Sequence, residues 1–555
     1  MLKPTTTNGD HATINHLSDF TTTTRVLPIA GLAIVIGVCA AYVAAALLKL
    51  INFFTNLFFF QRFSLSFASP AAHHLGPFVV LVPIAGALVV GLMARYGSDR
   101  IRGHGIPEAI EAILMGGSRV EPKVAVLKPI SAAISIGSGG PFGSEGPIIM
   151  TGGALGSLVA QFFHLTASER KTLLVAGAAA GMSATFSAPV ASVVLAVELL
   201  LFEWKPRSII PVALASVTAA TARRYLIGLG PVFAVPQHPA VIGGEALAGC
   251  IIVGLLGGVM AALLTSAVYA SEDTFHRLPI HWMWWPPIGG LIIGLGGLLF
   301  PQALGVGYDV IEGLLQGNMP MRVIAGVLIV KSTIWALSLG SGTSGGVLAP
   351  LLMMGAALGG VEARFLPVEG LGFWPLVSMG AVLAGTMRAP LTGVVFALEL
   401  THDVNMLLPL LLAVTVAHGF TVLTLKRSIL TEKISRRGYH LSQEYSIDPL
   451  EITFARDVAR DLDDAIRRDL ADGVVAYGDE PLRIIAYRMA ETGLTRLPVV
   501  SRETGEKTGF IELSDLLTAR SRILAAEQRR ERLLGTRAQL RAIGAMFGGD
   551  RQKTA

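Results

Sequence analysis

Three short segments carry residues whose type and spacing suit one kind of chemistry. They are Gly103-His104-Gly105-Ile106-Pro107, Gly143-Ser144-Glu145-Gly146-Pro147 and Gly346-Val347-Leu348-Ala349-Pro350. In each, glycines precede a proline, and proline suits the first turn of a helix, where its missing N–H costs nothing. Glycine lets the backbone approach a bound group closely. The free N–H groups and the positive end of the helix dipole then favour an anion. Any one segment reads equally as an ordinary Gly/Pro helix break. Three in register with an internal repeat point to an anion path. Glu145 is the one ionisable carboxylate within these segments. The plain alternative for it is a solvated loop residue.

The elements that must position these segments are membrane helices. Of the 555 residues, 52% are hydrophobic and only 15% are charged, against about 25% in soluble proteins. Mean hydropathy is +0.60. Long apolar runs cover Val26 to Leu48, Phe78 to Met93, Glu245 to Ala270, Pro286 to Phe300, Met321 to Leu339 and Met406 to Leu425. Several reach the roughly 20 residues that cross a bilayer core. A soluble enzyme on a single anchor would not distribute such runs over most of its length. An ionisable residue such as Glu145 costs roughly 2.5–3.5 kcal/mol in that setting and is usually functional.

The chain also repeats itself. Gly137-Ser138-Gly139, Pro147 and Ala154-Leu155-Gly156 recur 203 residues later as Gly340-Ser341-Gly342, Pro350 and Ala357-Leu358-Gly359. Ser187-Ala188-Pro189 with Glu198-Leu199 is echoed 201 residues on by Arg388-Ala389-Pro390 with Glu399-Leu400. Gly103-His104-Gly105 pairs loosely with Gly305-Val306-Gly307. Duplicated halves with Gly- and Pro-interrupted segments at matching places predict a transport site between them. Helices that stop within the membrane are tolerated where they line a cavity or are buried in protein.

Other classes fit poorly. Cys39 and Cys250 lie in apolar runs, with no disulfide or metal spacing. Basic and aromatic residues are not interleaved as a nucleic-acid surface requires. The polar N-terminus lacks the basic flank and short apolar core of a cleaved signal peptide. Lys426, Arg427, Lys433, Arg436 and Arg437 cluster after the last apolar run, which predicts that this end, and the tail beyond it, face the cytoplasm.

The three segments resemble the signature motifs of the CLC family of chloride channels and proton-coupled chloride transporters. The resemblance extends through Arg388-Ala389-Pro390-Leu391-Thr392-Gly393 and Glu399, and covers about residues 25–440. It implies a homodimer with one anion pore per subunit, each subunit being two inverted halves. Glu145 stands where the family keeps its gating glutamate, whose carboxylate competes with the anion and carries protons. The implied anion-binding set is Gly103, His104, Gly105, Ile106, Pro107, Gly143, Ser144, Gly146, Pro147, Gly346, Val347, Leu348 and Leu430, with the N–H groups of Val347 and Leu348 as inner contacts. Four positions depart from the family pattern. His104 replaces a serine; imidazole can donate to an anion and gains charge near pH 6.5, or it can turn into a structural hydrogen bond. Leu348 stands where phenylalanine is common, leaving the backbone contact intact. Ser428-Ile429-Leu430 lacks the expected pore tyrosine. Leu199 occupies the place of the inner, proton-relaying glutamate. Glu198 beside it is either a substitute relay or, with Glu399, a structural residue of both repeats. Some family transporters lack the inner glutamate, so exchange stays open.

Beyond Tyr439 the chain becomes charged. Arg496-Leu497-Pro498-Val499-Val500, Gly509-Phe510-Ile511 and Ser514-Asp515-Leu516-Leu517 resemble the second half of a cystathionine-β-synthase-like (CBS) domain. That resemblance implies an adenine nucleotide near Asp515, or a purely structural tail. Arg522 to Arg541 reads as a charged, solvated helix.

The expected fold is an all-α polytopic membrane protein of two inverted repeats of broken helices, followed by a small α/β CBS-like domain. The expected organisation is a polar tail at 1–24, a membrane domain at 25–440 (halves about 25–230 and 245–425), a CBS-like domain at 441–525 and a charged tail at 526–555. The expected function is conduction of chloride or a similar small anion, gated by Glu145 and channel-like or weakly proton-coupled. A proton/chloride antiporter, an exchanger selective for nitrate or fluoride, and a nucleotide-responsive sensor with vestigial transport are the alternatives. The expected partners are the anion, protons, membrane lipid and a second copy of the chain. No cofactor, metal or nucleic acid is expected, and no enzymatic activity.

Overall fold

The computed structural model describes residues 22–114, 116–228, 230–438, 450, 453–461, 473–502 and 504–528. The expected N-terminal tail up to residue 21, and the tail beyond Gln528, lie outside them. Contacts divide the chain into two compact units, residues 1–443 and 444–555.

The first unit is helical and polytopic. Its first half runs α1 (Val26–Phe60), α2 (Leu81–Tyr96), α3 (Ile106–Leu114), α4 (Pro122–Gly137), α5 (Glu145–Gln161), α6 (Ala167–Phe186), α7 (Pro189–Leu195, continued by a π-helical turn to Leu201) and α8 (Pro206–Leu226). The second half follows the same order. It comprises α9 (Gly244–His276), α10 (Trp285–Leu299), α11 (Tyr308–Leu315), then α12 (Met321–Gly326) joined through a π-helical turn to α13 (Ser332–Gly340). It continues with α14 (Leu348–Glu362), α15 (Phe373–Met387), α16 (Pro390–Thr401) and α17 (Leu407–Thr424), and α18 (Ile429–Arg436) closes the unit. Among the described residues, six helices are long and apolar enough to cross a membrane. Helices α1 and α9 are by themselves far longer than a span. The 35 residues of α1 rise about 50 Å at 1.5 Å each, so α1 crosses a core of about 30 Å only with tilt or overhang.

The repeat is visible in packing as well as order. Helix α5 packs on α6 as α14 packs on α15, and α1 packs on α8 as α9 packs on α17. Small residues make the close approaches. A Cβ on Gly152 would run into Gly177 O, and one on Gly359 into Trp374 O. Prolines start α4, α7, α8 and α16, where no N–H is needed. The turn into α7 matches the turn into α16: Ser187 and Arg388 both have φ +56°, and Ala188 (−121°, 72°) matches Ala389 (−126°, 78°).

Two carboxylates fix how the halves are related. Glu198, in the last turns of α7, accepts from the N–H groups of Leu391 and Thr392 at the start of α16, 3.1 and 2.9 Å, and from the Thr392 hydroxyl. Glu399, near the end of α16, accepts from the N–H groups of Val190 and Ala191 at the start of α7, 3.0 and 2.7 Å. Each helix can cap the other's start only if the two lie side by side and antiparallel. The symmetry axis between them is then perpendicular to the helices, which makes the halves inverted.

The second unit carries a separate core that includes Leu482, Ile485, Leu497, Val499 and Ile511. A short α19 (Ala455–Val458) precedes β1 (Ala476–Tyr477), α20 (Leu482–Thr492), β2 (Arg496–Val500), β3 (Lys507–Glu512) and α21 (Leu513–Gln528). The sheet order is β1-β2-β3, with β1 parallel and β3 antiparallel to β2.

Candidate functional site

The three Gly/Pro segments meet. Gly143 and Gly346 form a two-way backbone bridge, Gly143 N–H to Gly346 O at 3.0 Å and Gly346 N–H to Gly143 O at 2.7 Å. Gly103 N–H donates to Thr343 O at 3.0 Å. His104 O lies where a Cβ on Gly146 would stand, and a Cβ on Gly105 would press on Gly146 O at 2.5 Å. Gly103 and Gly105 adopt φ +81° and +92°, a region open to glycine at no steric cost. The starts of α3, α5 and α14 therefore converge, bringing together Ile106, Pro107, Glu145, Gly146, Pro147, Val347 and Leu348. All seven are buried.

First-turn N–H groups have no acceptor within their own helix. At the start of α14 one of them is satisfied from the other repeat: Ala349 N–H donates to Glu145 Oε1 at 3.1 Å. Glu145 is fully buried, and its Oε2 has no hydrogen-bond partner among the described residues. That oxygen lies 2.8 Å from the position of a Cβ on Gly346. The carboxylate thus occupies the position at a helix start where an anion is favoured, and no cation pairs with it among the described residues. The solvated-loop alternative for Glu145 does not fit this burial.

Two lysines, not singled out from sequence, support the site. Lys128 Nζ, fully buried, donates to Ile101 O and Gly103 O, both 2.8 Å. Lys331 Nζ does the same in the other half, to Ala303 O at 3.0 Å and Gly305 O at 2.6 Å. Each tethers the loop that precedes α3 or α11. Their separation of 203 residues equals the offset of the repeat, a signal present in the sequence. Tyr308, which starts α11 as Ile106 starts α3, places its hydroxyl 3.3 Å from Ser144 Oγ.

A cavity of about 830 Å³ opens beside this cluster, lined in part by Arg102, Gly103, His104, Tyr269, Gly342 and Lys433. His104 is buried and its Nδ1 has no hydrogen-bond partner among the described residues. Glu108 caps the start of α3, accepting from Gly105 N–H at 2.9 Å, and pairs with Lys433 at 3.2 Å. Leu430 is not brought to the cavity. It is buried in the core, on an α18 anchored by Ser428, which caps its N-terminus, and by Tyr269, whose hydroxyl donates to Ile429 O. Glu198, with Thr392 and the start of α16 as its partners, is engaged in the same way as its twin Glu399. Leu199 beside it is fully buried.

A family model described as "Voltage gated chloride channel" matches residues 85–422. The chain belongs to the voltage gated chloride channel (CLC) family. An H(+)/Cl(−) exchange transporter ClcA from Salmonella schwarzengrund is 31% identical over 404 residues, covering 70% of this chain and 84% of that protein. A ClcB-like protein from Ralstonia nicotianae is 32% identical over 348 residues, 60% of this chain and 80% of the other. Among solved structures, a slow cyanobacterial Cl−/H+ antiporter superposes with a TM-score of 0.66 at 23% identity, covering 75% of this chain and 98% of that one. A CLC-type fluoride/proton antiporter gives 0.62 at 20%, covering 72% and 97%. The last two likenesses are of fold.

In the second unit, both oxygens of Asp515 are engaged. Oδ1 accepts from Arg460 Nε at 2.9 Å, and Oδ2 from Glu512 N–H at 3.0 Å.

Proposed function

We propose that this CLC-family chain moves chloride or a similar small anion through the convergence of α3, α5 and α14, with Glu145 as the gate. The observation that carries the reading is the Glu145 carboxylate seated on the Ala349 N–H. A negative group held by helix-start N–H groups marks where an anion binds, and it must be displaced or protonated before an anion can pass. Glycines at 103, 105, 143, 146 and 346 keep the backbone bare there, and His104 is a further ligand from the cavity side.

Conduction is channel-like or weakly proton-coupled in this reading. Coupling through a second titratable side chain finds no free candidate here. Leu199 holds no proton, and Glu198 is bound to three donors at the start of α16. The test is the reversal potential under opposed chloride and proton gradients, expected near the chloride equilibrium value. A fixed stoichiometric proton counterflow, abolished in Glu145→Ala, contradicts the channel-like reading. Antiport is the second reading, favoured by the exchanger names of the ClcA relatives.

The same reading includes a homodimer in the plasma or inner membrane with cytoplasmic termini, and no enzymatic reaction. Light scattering of the detergent-solubilised chain checks the dimer. The second unit is read as a CBS-like module. With both oxygens of Asp515 engaged, a structural role is favoured over adenine nucleotide binding, and nucleotide-insensitive chloride flux is the expected result.

A further inference from the structure

The turn between α7 and α8 gathers more positive charge than it neutralises. Glu203 there faces three cations, Lys205 at 3.6 Å, Lys171 at 3.9 Å and Arg207 at 3.9 Å. None of the three comes within the roughly 2.7–2.9 Å of a charge-assisted hydrogen bond, and Glu203 Oε1 already accepts from Ser208 Oγ at 2.8 Å. One carboxylate among three cations leaves an excess of positive charge. Lys171 donates to Leu201 O at 2.7 Å, a neutral acceptor at the end of the π-helical turn. Arg207 Nε is buried with no hydrogen-bond partner among the described residues. A guanidinium and two ammonium groups around one point, with donors unmet, suit a phosphate, whose oxygens accept from several cations at once.

The surroundings favour a phosphate carried by a lipid. Trp204 stands between Glu203 and Lys205 and is 68% exposed, as indoles at a membrane interface are. Within a turn of Arg207 the outward face of α8 becomes apolar, with Ile210 and Leu214 exposed, and acyl chains can cover it. Hydrogen bonds also fix the side of the unit on which this turn lies. Glu198, just before it, accepts from the start of α16. Arg388, just before that start, donates to the carbonyls of Thr421, Leu425 and Lys426. The turn therefore shares a face with Lys426 and Arg427, which the positive-inside tendency makes cytoplasmic. Anionic lipid in the cytoplasmic leaflet attracts such basic clusters.

We propose that Lys171, Lys205 and Arg207 hold the phosphate of an anionic phospholipid at this turn, with the Trp204 indole at the level of the headgroup. Only the sidedness of the site rests on the reading above; its existence does not depend on how the chain moves ions. A zwitterionic headgroup brings a cation of its own against the cluster, so phosphatidylglycerol is favoured over phosphatidylcholine.

Native mass spectrometry of the full chain, released from detergent micelles doped with either lipid, tests this. The first phosphatidylglycerol is expected to be retained at about tenfold lower concentration than the first phosphatidylcholine, the scale of two basic side chains at a membrane surface. Lys205→Gln combined with Arg207→Gln should remove most of that preference. Lys205→Arg combined with Arg207→Lys, which keeps both charges, should restore it. Equal retention of the two lipids by the native chain overturns the site, as does a preference that survives the Gln pair unchanged. Displacement of the bound phosphatidylglycerol by inorganic phosphate at matched concentration would assign the cluster to a soluble anion and overturn the lipid assignment. A chain that retains phosphatidylglycerol in this pattern but moves no chloride contradicts the transport reading and leaves the lipid site standing.

Discussion

A glutamate's neighbours decide its role more firmly than its position in the chain. Glu145, Glu198 and Glu399 all lie in apolar helices, yet only Glu145 has an oxygen without a partner. For Glu198 the sequence left a relay and a structural role open, and its partners, 193 and 194 residues away, match those of Glu399 in the other repeat. Their equivalence makes a prediction. Glu198→Gln and Glu399→Gln should each cost about 1.5–3 kcal/mol, the range for hydrogen bonds to a charged group. Thermal unfolding in detergent should show similar losses for both. A Glu198→Gln chain of native stability that loses proton movement would identify a relay instead. Lys128 and Lys331 are hard to assign from sequence for a different reason: a lysine in an apolar run invites no role without its carbonyl partners, although the 203-residue offset between the two is a sequence feature.

At the level of helices, the Gly/Pro segments were legible because backbone requirements are written locally. Helix starts, repeat register and the apolar runs followed from residue type and spacing. What spacing does not show is that three starts share one point, since Gly143 and Gly346 pair across the repeat. Leu430, placed on the anion path by resemblance, is fully buried on α18 and is not among the residues lining the cavity. Gly346 gives the sharpest test at this scale. A Cβ there would sit 2.7 Å from Gly143 O and 2.8 Å from Glu145 Oε2, and the bridged backbone cannot yield. Overpacking of roughly 1–3 kcal/mol should change chloride flux in Gly346→Ala about tenfold. Native flux and selectivity from a correctly folded Gly346→Ala would remove the pore from this place.

Over the whole chain, the two units have different solvents and different stabilising terms. The membrane unit exposes large apolar residues such as Leu263, Leu299 and Leu423, as lipid contact permits. The second unit relies on a small core and on ion pairs such as Arg488 with Glu480, 2.8 and 2.9 Å. Burial pushes the Glu480 carboxyl up, but Arg488, the Tyr477 N–H and Arg502 together hold it below its usual range. A depressed carboxyl stabilises above its unfolded pKa, about 4.3 for glutamate. That stability is lost as pH falls through the lower folded value. Hydrogen exchange over residues 476–500 of the full chain should therefore rise as the pH is taken below about 4, and Glu480→Gln should flatten the dependence. The same acid sensitivity in Glu480→Gln would assign it to other groups.

The central claim is that the Glu145 carboxylate occupies an anion position at the start of α14. Chloride efflux from liposomes, compared between the native chain and Glu145→Ala across external pH, tests it most directly. The native chain should speed up as acid protonates and frees the gate. Glu145→Ala should conduct at every pH with no such dependence. Efflux that is unaltered by Glu145→Ala, or that keeps its native pH dependence without the carboxylate, would contradict the account.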